Sequence, residues 1–266
     1  MLIIGEKINA TLKSAKKAIE ERDTEFLQNL ARSQWEAGAN YIDVNVSTDK
    51  GVDFDKESME WAVETIQEVV DIPLSIDSPD PKIIEVGLRK AKGKSMINSV
   101  TAEPDRLETI LPLAKEFDCE VISLAIMGAI ASEAEGRLEA CEKIAESAQK
   151  LGISLEKLYF DPLTLSVATD ISQGVVTLET LKGIKARFPQ AKTTMGLSNV
   201  SFGLPGRSLI NRSFLLLSIY AGLDSAILDP RDKKLTSVIK AGEMLLGRDN
   251  HCLNYIKAFK AEKIEV

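Results

Sequence analysis

The sequence is poor in the side chains that hold metals and form disulfides: one histidine, His251, and three cysteines, Cys119, Cys141 and Cys252, in 266 residues. No CxxC pair occurs, so neither a thiolate cluster nor a disulfide framework is available. That usage suits a reducing compartment, and the expected location is the cytoplasm. His251 and Cys252 are neighbours, but zinc sites draw on several such ligands. They are read as surface or packing residues, and no metal is expected in this chain. Long apolar runs are also missing. No stretch approaches the roughly 18 residues that span a bilayer, and MLIIGEKINA lacks the basic segment and long apolar core of a secretory signal. Positive charge is in deficit, with 33 Lys and Arg against 40 Asp and Glu. A net charge of −7 argues against nucleic acid and anionic membranes as partners. Nor is there a glycine-rich phosphate loop, since GEKINA does not match GxGxxG.

What the sequence does have is an alternation. Eight short apolar runs recur: LIIGEKIN (2–9), YIDVNV (41–46), LSIDS (74–78), SMINSV (95–100), VISLAIM (121–127), LYFDPL (158–163), TTMGLSNV (193–200) and SAILDP (225–230). Helical patterns lie between them, as in AKKAIEERDTEFLQNLARSQWEAGA (15–39) and SMEWAVETIQEVV (58–70), where apolar residues repeat at three- and four-residue spacing. No linker or shift of composition divides the chain. Eight strand-helix units in 266 residues predict the α/β class and a (β/α)8 TIM barrel, as one domain over 1–266. A doubly wound sheet is the alternative.

In such a barrel the active site forms where the strands end at their C-terminal side. Those ends read Glu6 and Asn9, Asp43 and Asn45, Asp77, Asn98, Asp161, Asn199 and Asp229. Only the fifth run offers neither a carboxylate nor an amide. Each residue alone has a local explanation, because Asp and Asn after a strand often cap a helix or close a turn. Asp43 and Asn45 differ: alternate positions in IDVNV point to one face of a strand. Buried there, they need hydrogen-bond partners, which a structural network among strand ends would also supply. A heterocycle with several N–H donors along one edge, such as a 2-amino-4-oxo pterin, suits converging carboxylates and amides.

IGEKIN, DVN, IDS, MINS, DPL, GLSNVSFGLPGR and LDP occur in this order from end to end. Together they resemble the pterin-binding methyltransferases that act on corrinoids. The motifs are similar to those of methyltetrahydrofolate:corrinoid/iron-sulfur-protein methyltransferase and of the folate domain of cobalamin-dependent methionine synthase. The resemblance implies a pterin-binding barrel that moves a methyl group between N5 of (methyl)tetrahydrofolate and the cobalt of a corrinoid, cobalamin or a relative, on a separate protein. It implies a homodimer as well. By motif, Asp77, Asn98 and Asp161 grip the pterin edge, Gly196 and Ser198 line the ring, and Asn199 faces N5 as the catalytic residue. Arg207 approaches the glutamate tail, while Asp43 and Asn45 support the network behind the pterin.

The sequence itself bears on the corrinoid. The only approach to a cobalt-ligating DxHxxG motif is DNHCLN (249–254), which lacks the glycine, so the corrinoid is expected on a partner. Two alternatives remain: a non-catalytic folate-binding subunit of a corrinoid complex, and a dihydropteroate synthase-like enzyme. The second lacks its expected TPDSF-type and GGxSTRPG loops here. The direction of methyl transfer is open.

Overall fold

Every apolar run of the sequence contributes a strand: β1 (Leu2–Asn9), β2 (Tyr41–Asn45), β3 (Leu74–Asp77), β4 (Ser95–Val100), β5 (Glu120–Leu124), β6 (Leu158–Asp161), β7 (Lys192–Thr193) and β8 (Ser225–Leu228). The computed structural model describes residues 1–265; Val266, part of the expected single domain, lies outside them. Between the strands run α1 (Lys13–Glu21), α2 (Thr24–Glu36), α3 (Val52–Gln67), α4 (Pro81–Lys90), α5 (Pro104–Glu116), α6 (Ala134–Lys150), α7 (Gln173–Arg187) and α8 (Arg207–Ala221); α9 (Lys233–Leu245) and α10 (Leu253–Lys260) follow β8. Among the described residues no helix is long and apolar enough to cross a membrane.

All strand pairs are parallel, in the order β7-β6-β5-β4-β3-β2-β1-β8, so the last strand lies on the first. The seam between β7 and β8 has no regular ladder. One bridge joins Gly196 to Ile227, where the Ile227 N–H donates to the Met195 carbonyl at 2.9 Å. Side chains complete the closure: Ser225 Oγ donates to the Thr193 carbonyl at 2.9 Å, and Thr193 Oγ1 to the Gly222 carbonyl at 2.8 Å. The result is a near-closed (β/α)8 barrel.

Two expected elements change in detail. The helical pattern over 15–39 is two helices, because Arg22 turns left-handed (φ 56°) and Asp23 caps α2 by accepting from the Phe26 N–H at 3.0 Å. The seventh run is a strand only at Lys192–Thr193; Leu197–Ser201 winds into a 3-10 turn instead.

Strand periodicity sorts the interior. On β2, Ile42 and Val44 pack outward with Leu27 and Ala31 of α2 and with Ala62 and Ile66 of α3. Each such side chain, fully buried, contributes about 1.5–3 kcal/mol. Tyr41 turns inward and joins Ile4, Met96, Ile122 and Tyr159 as the barrel floor. Glu120 is the charge in that floor, and it is paired: Tyr41 Oη donates to it at 2.5 Å and Lys192 Nζ at 2.9 Å. The polar strand ends therefore rest on a filled base, at the opposite end of the barrel.

Candidate active site

Parallel register brings the strand-end residues into one row. Asn9 pairs with Asn45, Asn45 with Asp77, and Asp77 with Asn98, across β1 to β4. Asp43 lies one inward position below Asn45, beside Ser75. Asp43 is 2% exposed and its Oδ1 accepts from Ser75 Oγ at 2.7 Å and Asn98 Nδ2 at 3.1 Å. Asn45 Nδ2 donates to Asp77 Oδ2 at 2.9 Å. Burial, and then the charge of Asp77, push the Asp43 carboxyl well above the usual carboxylate range. Asp77 is also raised by burial, but its bond from Asn45 favours the ionised form. Burial thus favours the neutral form of both carboxyls, and both line the cavity.

That cavity, of about 290 Å³, opens at the C-terminal ends of the strands. It is lined by Asp43, Asp77 and Asn98 on one side and by Gly196, Ser198 and Asn199 on the other. β3 and β4 lie across the barrel from the β7–β8 seam, so a flat ligand would be held by its edge from one wall and approached by Asn199 from the other. The size is close to the lower end of small-molecule sites, roughly 300 Å³ upward.

The 3-10 turn that carries Asn199 is fixed from behind. Arg207 Nε donates to Ser201 Oγ at 3.0 Å and its Nη2 to the Ser198 carbonyl at 2.7 Å. Ser201 Oγ in turn donates to Asn211 Oδ1 at 2.7 Å. Space at Gly196 is tight: a Cβ there would meet Asn199 Nδ2 at 3.0 Å, and the amide would have to shift. The Asn199 amide itself makes no side-chain hydrogen bond among the described residues, and Asn199 is exposed. It is held in place and left free to bond.

The structure does not gather every expected residue around the cavity. Asp161 is buried just behind Gly196; its Oδ1 accepts from the Leu163 N–H at 2.8 Å. Burial pushes its carboxyl up to about 6, while the facing N–H groups of Leu163 and Gly196 and the Arg137 charge pull the other way. Arg207 braces the Asn199 turn. Asn45 bonds Asp77 and, through Oδ1, the Ser47 N–H at 3.1 Å.

Three strand-end residues with a merely local sequence reading divide. Asp229 is taken up by Arg231 at 2.9 Å. Asn9 and Glu6 line the cavity; Asn9 Oδ1 also closes a turn by accepting from the Thr11 N–H at 2.9 Å, and the Glu6 carboxyl is raised chiefly by burial. Thr11, Leu12 and Ile227 also line the cavity. Nothing in their local sequence marks them, because loop closure and the β8 seam bring them in.

The profile of a family described as pterin binding enzyme matches residues 5–229. The chain is similar to a methylcorrinoid:tetrahydrofolate methyltransferase from Eubacterium limosum, 37% identical over 267 residues, which is 99% of this chain and 98% of that one. It is also similar to methionine synthase of Mycobacterium tuberculosis, 30% identical over 85% of this chain but only 20% of that protein. Among solved structures, dihydropteroate synthase from Clostridium difficile superposes with a TM-score of 0.71 at 18% identity, covering 92% of this chain and 96% of that one. The dihydropteroate synthase of Vibrio fischeri gives 0.71 at 14%, covering 93% of each. At such identities the likeness concerns the fold.

Proposed function

This chain belongs to the pterin-binding enzyme family, and from that premise we propose that Asp77, Asn98 and Asp161 bind the pterin of tetrahydrofolate and that Asn199 serves its N5. The chain is a methyltransferase of the methylcorrinoid:tetrahydrofolate type, moving a methyl group between folate and a corrinoid carried by a partner protein. The observation that carries the site reading is the cavity in which a buried carboxylate–amide row faces an unbonded Asn199. Among the described residues no group of three or more His, Cys, Asp or Glu side chains converges as a metal site.

We take transfer to run from the methylcorrinoid to tetrahydrofolate, the direction named for the Eubacterium limosum relative. The partner's corrinoid supplies the methyl group as a cation equivalent, its bonding electron pair remaining on cobalt. The N5 lone pair forms the new N–C bond, N5 becomes positive, and its proton then leaves to solvent. Asn199 can accept from N5–H through its carbonyl oxygen as that charge builds; in reverse, its amide N–H can donate to N5. A bond that strengthens between ground and transition state is what lowers the barrier. Asp77 and Asn98 fix the ring across the barrel so that N5 lies under Asn199, which reduces the entropy of alignment.

The test is direct: purified protein with tetrahydrofolate and free methylcobalamin, and separately with 5-methyltetrahydrofolate and reduced cobalamin. Methyl exchange in either assay is the expected result. Folate binding with no exchange in both would replace this reading with the non-catalytic subunit.

We also propose a homodimer. Exposed large apolar side chains concentrate on α8 (Leu209, Leu216, Leu217, Tyr220) and α10 (Leu253, Ile256, Phe259). A groove between α8 and α9, reached by Tyr255, joins the two helices into one face. Contiguous apolar patches beyond a few hundred Å² are unusual on monomers. Leu217→Glu with Tyr220→Glu is expected to convert dimer to monomer in sedimentation; an unchanged sedimentation coefficient would place the interface elsewhere.

A further inference from the structure

Behind Asp161 stands a buried cation with no carboxylate on it. Arg137 of α6 is 0% exposed, and among the described residues no acidic side chain lies within ion-pair distance of it. Its guanidinium is spent on neutral acceptors. Nε donates to the Ala131 carbonyl at 3.1 Å, Nη1 to the Pro162 and Leu163 carbonyls at 2.8 and 2.9 Å, and Nη2 to Gln173 Oε1 at 2.6 Å. One side chain thus ties together the loop after β5, the loop after β6 and the first turn of α7. Burying an ion in this way is costly, and an apolar side chain would pack a helix against a loop more cheaply.

The placement is informative because of one peptide group. The carbonyl of Pro162 accepts from Arg137, and the N–H of the same peptide, that of Leu163, donates to Asp161 Oδ1 at 2.8 Å. Hydrogen bonds in series polarise one another, so a cation on the carbonyl strengthens the N–H donor. Leu163 adopts a left-handed φ of 59°, a conformation disfavoured for any residue with a Cβ. That turn brings the Leu163 carbonyl, like that of Pro162, onto the Arg137 guanidinium.

We propose that Arg137 is a positioning residue for methyl transfer: through the Pro162–Leu163 peptide it keeps Asp161 ionised and aimed at the pterin. This rests on the reading of Asp161 as a pterin ligand given above. Among the described residues the charged and titratable groups acting on Asp161 are Arg137 and the Cys141 thiol, both on α6; burial holds that thiol protonated. From the β7 side comes the Gly196 N–H. Arg137 is therefore the one cation opposing the burial of Asp161, and without it the carboxyl would take up a proton nearer neutrality.

The experiment is calorimetric binding of tetrahydrofolate from pH 5 to pH 8 to the wild-type protein and to Asp161→Asn, Arg137→Gln and Arg137→Lys, each also melted thermally. The quantity read is the part of the pH dependence that Asp161→Asn abolishes. In the wild type that part is expected to show affinity lost as pH falls through about 6. Arg137→Gln moves the midpoint toward neutrality by roughly one pH unit, which weakens binding about twofold at pH 7 and about tenfold at pH 5. Arg137→Lys, with the charge but without the fork, falls between the two. A folded Arg137→Gln protein with wild-type midpoint and affinity overturns the proposal while Asp161→Asn remains impaired. If Asp161→Asn binds like wild type, it is the assignment of Asp161 that fails. Should Arg137→Gln not fold, an Arg137→Lys protein indistinguishable from wild type overturns the proposal equally.

Discussion

Asn199→Ala is expected to reduce the single-turnover rate of methyl transfer about 100-fold, the scale of one lost preorganised donor, with little change in tetrahydrofolate affinity. The fold should survive. The Asn199 side chain makes no hydrogen bond to the protein among the described residues, and the turn under it is held by Arg207, Ser201 and Asn211. Truncating an exposed, unbonded amide leaves no buried group without a partner, so the usual structural penalty does not arise. What disappears is a bond to N5 that matters most when N5 is charged. Rate constants from rapid mixing and dissociation constants from calorimetry separate the two effects. If both change by the same factor, Asn199 binds the ground state as well as the transition state and has no special part in the chemistry.

Asp77→Ala should act chiefly on affinity. A pterin N–H donor left without its acceptor in a desolvated site costs about 1–3 kcal/mol, or roughly 5- to 150-fold in the dissociation constant. The same substitution strips Asn45 Nδ2 of its partner and removes the neighbouring carboxyl that helps raise Asp43. The loss is therefore expected in the upper half of that range. Asp77→Asn preserves shape but presents an NH2 group that cannot accept a ligand N–H, and should rescue little. Calorimetry giving either variant an affinity within twofold of wild type would remove Asp77 from the pterin edge.

The sequence carried much of this. β1 and β4 have the limits of the runs LIIGEKIN and SMINSV, because buried parallel strands are written as continuous apolar segments between helical patterns. Asp43 and Asn45 face inward together for the reason their alternation gave. The seventh unit was harder to read. TTMGLSNV has the composition of a strand, yet its regular ladder ends at Thr193, and after the single bridge at Gly196 the chain winds into the turn that presents Asn199. Arg207 shows what the sequence does not display: beside its expected place near the glutamate tail, its hydrogen bonds brace Ser198 and Ser201. Arg137 gave no signal at all, being one more charged residue on a helix rich in them.

Local sequence determined the eight strand-helix units, the inward direction of the polar strand ends and the glycine that gives Asn199 room, since strand alternation and steric space are properties of neighbouring residues. Only the closed tertiary structure decided which of those polar ends meet. Register across β1 to β4 put Asn45, Asp77 and Asn98 in one row. Closure at the β7–β8 seam set Asn199 opposite them, and packing of α6 against two loops brought Arg137 behind Asp161. Those contacts join residues far apart in the chain. They depend on how strands and helices stack, which no short stretch of sequence specifies.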